Sequence, residues 1–149
     1  MLARGLVLAA VLWPMLAAAT VWQRVSGPPA SWTSAVYLAA SRVCHQIPTR
    51  SFHTAGVQWP VCGRCTGLYL GAAVGACLAM ARRRRPIVGM RALVVLIVAG
   101  APTMATIVLE WSGVPIGNLL RAFAALPLGF TIAAAVIGMA AHGREKAIG

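Results

Sequence analysis

Four stretches of this chain contain no charged side chain: residues 5–23, 65–81, 92–109 and 122–141. A helix rises about 1.5 Å per residue, so roughly 20 apolar residues cross the hydrocarbon of a bilayer. Inside lipid the backbone must satisfy its hydrogen bonds within the segment, and a helix does so. The expected fold is therefore an all-α integral membrane protein with about four transmembrane helices. The expected organisation is a single membrane domain over residues 1–149, with an extracytoplasmic loop at 24–64. Only 10% of the residues are charged and 60% are hydrophobic, whereas a soluble domain is about 25% charged. Most of the surface is thus expected to face lipid.

The first stretch has a second reading. Arg4, an apolar run and Ala17-Ala18-Ala19 together fit a signal peptide cleaved near residue 19. The apolar run continues to Trp22, an interfacial anchor, and that length favours a retained helix.

Thirteen Lys and Arg stand against two acids, Glu110 and Glu145. In a soluble chain such a balance would point to nucleic acid. Here the basic residues flank apolar runs, so a lipid bilayer with anionic headgroups is the expected partner and nucleic acid is not. Arg4, Arg82 to Arg85, Arg91, Arg144 and Lys146 fall on one side if the helices alternate. Arg24, Arg42, Arg50, Arg64 and Arg121 fall on the other, four of them spread over the long loop. The positive-inside rule then predicts a multi-pass protein of the cell membrane with cytoplasmic termini and an extracytoplasmic loop.

Within that loop, Gly27-Pro28-Pro29 is a break. Ser31 or Thr33 is expected to cap a short amphipathic helix running to about Cys44. Thr49 to Trp59 reads as polar and irregular, and Pro60 as the approach to the second membrane helix. That helix carries Gly67, Gly71 and Gly75 in strict register, a face on which another backbone can approach closely. A further membrane protein, or a second copy of this chain, is the partner this face suggests. Cys77, mid-helix, reads as a small hydrophobe.

The chemistry-bearing residues gather at the loop. Cys44 and His45 are followed by Cys62 and Cys65. Three thiolates and an imidazole form a possible tetrahedral zinc set, with His53 as a substitute nitrogen ligand. Neighbouring side chains diverge, which makes Cys44-His45 an unusual ligand pair. A second reading is a membrane thiol/disulfide oxidoreductase. In it Cys62 and Cys65 are the catalytic pair at a helix start, whose N-terminus lowers the thiol pKa with Arg64 adding to it, and Cys44 is the resolving or exchanging partner. A structural disulfide between Cys44 and Cys62 or Cys65 is a third, though it leaves one thiol over. A fourth reading is a structural or assembly subunit that docks through the glycine face. Glu110, Asn118 and Arg121 fall on the same side, where Glu110 is expected to pair with Arg121 or Arg50. These four residues, Arg50, Glu110, Asn118 and Arg121, would support the metal site or contact an anionic ligand. No charge lies mid-bilayer to line an ion path.

The run Cys44-His45-Gln46-Ile47-Pro48-Thr49-Arg50-Ser51-Phe52, then Gly56, then Pro60-Val61-Cys62-Gly63-Arg64-Cys65-Thr66-Gly67 forms a recognisable signature. Over roughly residues 35–130 the chain resembles the prokaryotic predicted-membrane-protein family named domain of unknown function 2085, departing from its pattern at Glu110-Trp111. The resemblance implies a small multi-helix membrane protein and supplies no activity.

Overall fold

A computed structural model describes residues 1–82 and 89–148. Five helices and one hairpin follow in the order α1 (Leu2–Ser26), α2 (Ser31–Ser41), β1 (Ser51–Thr54), β2 (Val57–Cys62), α3 (Gly63–Arg82), α4 (Met90–Trp111) and α5 (Asn118–Ile148). A single 3-10 turn, Pro48–Arg50, leads into β1. Four segments are long and apolar enough to cross a membrane: Leu2–Ser26, Gly63–Arg82, Met90–Trp111 and Asn118–His142, with mean hydropathies of 1.9, 1.3, 2.4 and 2.0. Large apolar side chains such as Leu12, Ile97, Val98 and Phe123 project outward, as lipid contact requires. Arg83, Arg84 and Arg85 of the basic block lie outside the described residues.

The bundle is organised around α3, which packs chiefly on α5; α1 covers another side of α3, and α4 packs on α5. The α3–α5 contact is backbone against backbone. A Cβ added at Gly67, Gly71 or Gly75 would overlap the carbonyl groups of Ala122, Leu126 and Phe130 respectively, and one at Gly63 would sit 2.8 Å from the Asn118 carbonyl oxygen. Partners advance by four on both helices, so α3 and α5 run parallel with their four-residue ridges meshed. Gly129 answers from α5, resting on the Leu68 carbonyl. This corrects the expectation that the glycine face awaits another membrane protein or a second copy. Parallel α3 and α5 bring the stripe onto the chain's own last helix and fill it.

The loop departs from expectation in three ways. First, α2 ends at Ser41, and its N-cap is Ala30 rather than Ser31 or Thr33. Thr33 instead donates to the Ala30 carbonyl and accepts from Arg24 Nε at 3.3 Å. The Arg24 guanidinium also lies 4.3 Å over the Tyr37 ring, which ties α1 to α2.

Second, the segment read as irregular is a β-hairpin. Ala55 and Gly56 both have positive φ, 48° and 80°, as a two-residue type I′ turn demands. Such turns favour Asn-Gly, so Ala-Gly hides the signal. Third, β2 runs into α3 with no intervening loop, since Cys62 is its last residue and Gly63 the first of the helix. The pairing is regular at Thr54↔Val57 and His53↔Gln58 and shifts before Ser51↔Cys62. Pro60, which cannot donate, falls in that irregular stretch.

Candidate functional site

The strand–helix junction presents two of the thiols. Cys62 closes β2 and Cys65 lies in the first turn of α3. The third, Cys44, comes from the turn after α2, and a glutamine holds that turn in place. Gln46 sits at φ 48° and its Nε2 donates to the carbonyls of Tyr37 and Pro60, both at 2.8 Å. Gln58 Nε2 donates back to the Gln46 carbonyl at 2.6 Å. The Tyr37 hydroxyl also donates to the Gln58 carbonyl. This clamp binds the Cys44 segment to the hairpin. Gln46 was not singled out from sequence, where its only signal is its place in the Cys-His-Gln run.

The sulfurs of Cys44, Cys62 and Cys65 lie within 4.8 Å of one another. Cys44 and Cys62 are each 5% exposed, packed with Ala40 and Val61 and flanked by Trp13 and Tyr69. All four cysteines are free thiols. The Cys62 backbone N–H donates to the Cys44 sulfur at 3.2 Å. The neighbouring Cys65 thiol above all, with backbone N–H groups of Cys65 and Arg64 and the Cys44 thiol, lowers the Cys62 pKa to about 5 although burial opposes it. The Arg64 side chain, expected to add to the lowering by the helix start, points instead to Glu110 and Thr106. His45 and His53 are exposed and stand outside the three-thiol group. For His45 the reason is local: with Cys44 turned inward, its chain neighbour turns out. Cys77 is exposed on the flank of α3.

A second polar cluster lies across the junction. Glu110, at the end of α4, accepts from Arg121 Nε at 2.6 Å and from Arg64 at 3.1 Å, with Arg50 at 3.8 Å. Arg121 also donates to Asn118 Oδ1 at 2.6 Å, and Arg64 to Thr106 Oγ1 at 3.3 Å. Asn118 Nδ2 donates to the Ser51 carbonyl at 2.9 Å. Since Ser51 of β1 pairs with Cys62 of β2, the two clusters meet across the hairpin. The ion pairs with Arg121 and Arg50 follow the sequence expectation. Arg64 is the addition, sent across to α4 by the helical turn that keeps Cys65 with the other thiols.

The family described as predicted membrane protein, domain of unknown function 2085, matches residues 44–135, which include every residue of both clusters. The chain belongs to that family. It is similar to an uncharacterized protein of Methanocaldococcus jannaschii, 48% identical over 40 residues, covering 27% of this chain and 26% of that protein. It is similar also to an uncharacterized protein of Methanothermobacter thermautotrophicus, 57% identical over 30 residues, covering 20% of this chain and 27% of that protein. The matched stretches thus span about a quarter of each relative's length. No solved structure matches.

Proposed function

We propose that this member of the family holds a metal ion, zinc, between Cys44, Cys62 and Cys65, on the extracytoplasmic face of a single membrane domain whose termini are cytoplasmic. The convergence of three sulfurs within 4.8 Å, those of Cys44 and Cys62 buried and that of Cys65 half-buried, is the observation that carries this reading. Bonds of 2.3 Å to a common tetrahedral ion would set sulfurs roughly 3.8 Å apart, a separation reached by small side-chain rotations. Thiolates are soft donors suited to zinc, and the N–H of Cys62 already directed at the Cys44 sulfur is the kind of outer contact that orients a ligand. Three protein ligands leave a fourth position for water or a guest donor, the pattern of reactive rather than purely structural zinc. His45 is the nearest nitrogen in sequence and would need the Cys44 turn to reverse.

Elemental analysis of the full chain in mild detergent tests this. About one equivalent of zinc is expected, lost in Cys44→Ser, Cys62→Ser and Cys65→Ser and retained in His45→Ala. Less than a tenth of an equivalent of any transition metal in the wild type refutes it.

A second reading, thiol exchange, draws on the lowered pKa of Cys62. The Cys62 thiolate would attack a partner protein's disulfide, form a mixed disulfide and release one partner thiolate. Cys65 or Cys44 would then displace the second, leaving an internal disulfide here and a dithiol on the partner. Alkylation at graded pH decides: a Cys62 no faster than a free thiol at neutral pH excludes it.

A further inference from the structure

The arginine cluster is charged beyond what its own carboxylate can balance. Arg50, Arg64 and Arg121 meet at one acid, Glu110. Three positive charges against one negative leave an excess of two, where Arg64, Arg121 and Glu110 side chains are only 18, 11 and 9% exposed. Uncompensated charge at such depth is costly unless something pairs with it. The donor inventory agrees. Each guanidinium offers five N–H groups. Arg64 makes two hydrogen bonds, Arg121 makes two, and Arg50 approaches Glu110 at 3.8 Å without making one. The Nε of Arg64 is buried with no hydrogen-bond partner among the described residues.

The three side chains also arrive from different directions: Arg50 from the turn before β1, Arg64 from α3, Arg121 from α5. Arg64 and Arg121 form the buried part of the cluster. Arg50, 40% exposed, stands at its solvent edge. A planar carboxylate is served by one or two guanidinium forks, and Glu110 already takes that role. Donors arriving from three directions, with two charges to spare, suit a tetrahedral dianion whose oxygens point to several sides.

We propose that Arg50, Arg64 and Arg121 form a phosphoryl-binding site at the outer end of α3, α4 and α5, with Glu110 fixing the arginines and Arg50 closing over the bound group. The site shares no side chain with the thiol cluster, so it stands whether or not those thiols hold a metal. Free phosphate and the phosphomonoester headgroup of a phosphatidic acid both present such a dianion, and experiment separates them.

The test uses the full chain in neutral detergent, delipidated, titrated with inorganic phosphate at constant ionic strength and followed by calorimetry. Phosphorus analysis of the protein before delipidation is the second arm, and metal content and helical circular dichroism are read in parallel. Binding of phosphate by the wild type, weakened about tenfold or more in Arg50→Gln with metal and helicity unchanged, supports a free oxyanion. Stoichiometric lipid phosphorus in the wild type, lost in Arg50→Gln, supports a headgroup. The proposal is overturned if neither phosphate nor lipid phosphorus is bound, or if both Arg50→Gln and Arg64→Gln bind as the wild type does. It is overturned equally if Arg50→Gln loses phosphate only together with metal and helicity, since the arginine would then serve the fold.

Discussion

Substitution of Gly67 by alanine puts the α3–α5 interface to a direct test. The new Cβ would stand 2.7 Å from the Ala122 carbonyl carbon and 2.8 Å from its Cα, whereas ordinary contact begins at 3.4 Å. Helix α5 must therefore retreat by at least about 0.7 Å at this point, since the obstructing atoms are backbone and cannot rotate aside. A radial gap of that order forfeits a quarter to a half of each dispersion contact around it. Overpacking of this kind costs about 1–3 kcal/mol, and alanine's better helix propensity returns up to about 1.

A net loss of about 1 kcal/mol is expected, roughly a fivefold fall in the folding equilibrium. Gly100→Ala on α4 is the matched control, because its Cβ would meet only Leu128 Cδ1 at 3.7 Å. Unfolding in mixed micelles by titration with a denaturing detergent, followed by tryptophan fluorescence, measures both. Equal stability of Gly67→Ala and Gly100→Ala would refute the close backbone packing.

Three other outcomes are expected. Glu110→Gln leaves Arg64 and Arg121 facing each other without their shared carboxylate and should cost about 3–5 kcal/mol, with Arg50→Gln below about 1 because that arginine is more exposed; a Glu110→Gln as stable as wild type contradicts this. Thr103→Val removes the hydroxyl that donates to the Ala124 carbonyl at 2.9 Å between α4 and α5, for a loss of about 0.6 kcal/mol, and a gain in stability in the same micelle assay would count against the bond. In metal-free protein the Cys62 thiolate should protonate as pH falls through about 5, against about 8.5 for an unfolded cysteine. Its folded pKa is depressed, so the linked stabilisation is complete above the unfolded value and lost as pH falls through the folded one. Ultraviolet thiolate absorbance, taken as the difference between wild type and Cys62→Ser, reports it; a step only near the unfolded value overturns the assignment.

The four apolar helices were legible because hydropathy is summed along the chain and needs no distant contact. Their ends were less so: α3 starts at Gly63 and α5 at Asn118, since polar residues such as Arg64 and Asn118 extend a helix beyond its apolar run. The thiol set was legible too, as cysteines flanking one loop. The hairpin between them was hidden by a turn built on Ala55 instead of an Asn or Gly.

The sequence by itself determined that this chain belongs in a bilayer, that Cys44, Cys62 and Cys65 lie off the same loop, and that α3 carries a face bare of side chains. Only the tertiary structure decided what meets what. It placed α5 on the glycine stripe, turned His45 outward when Cys44 turned in, and sent Arg64 to Glu110 across 46 residues of sequence. The physical reason is the range of the forces that act. Lipid partitioning and helix formation act residue by residue along the chain. Backbone close packing and guanidinium–carboxylate pairing depend on which helices lie side by side, and here the parallel register of α3 and α5 sets that.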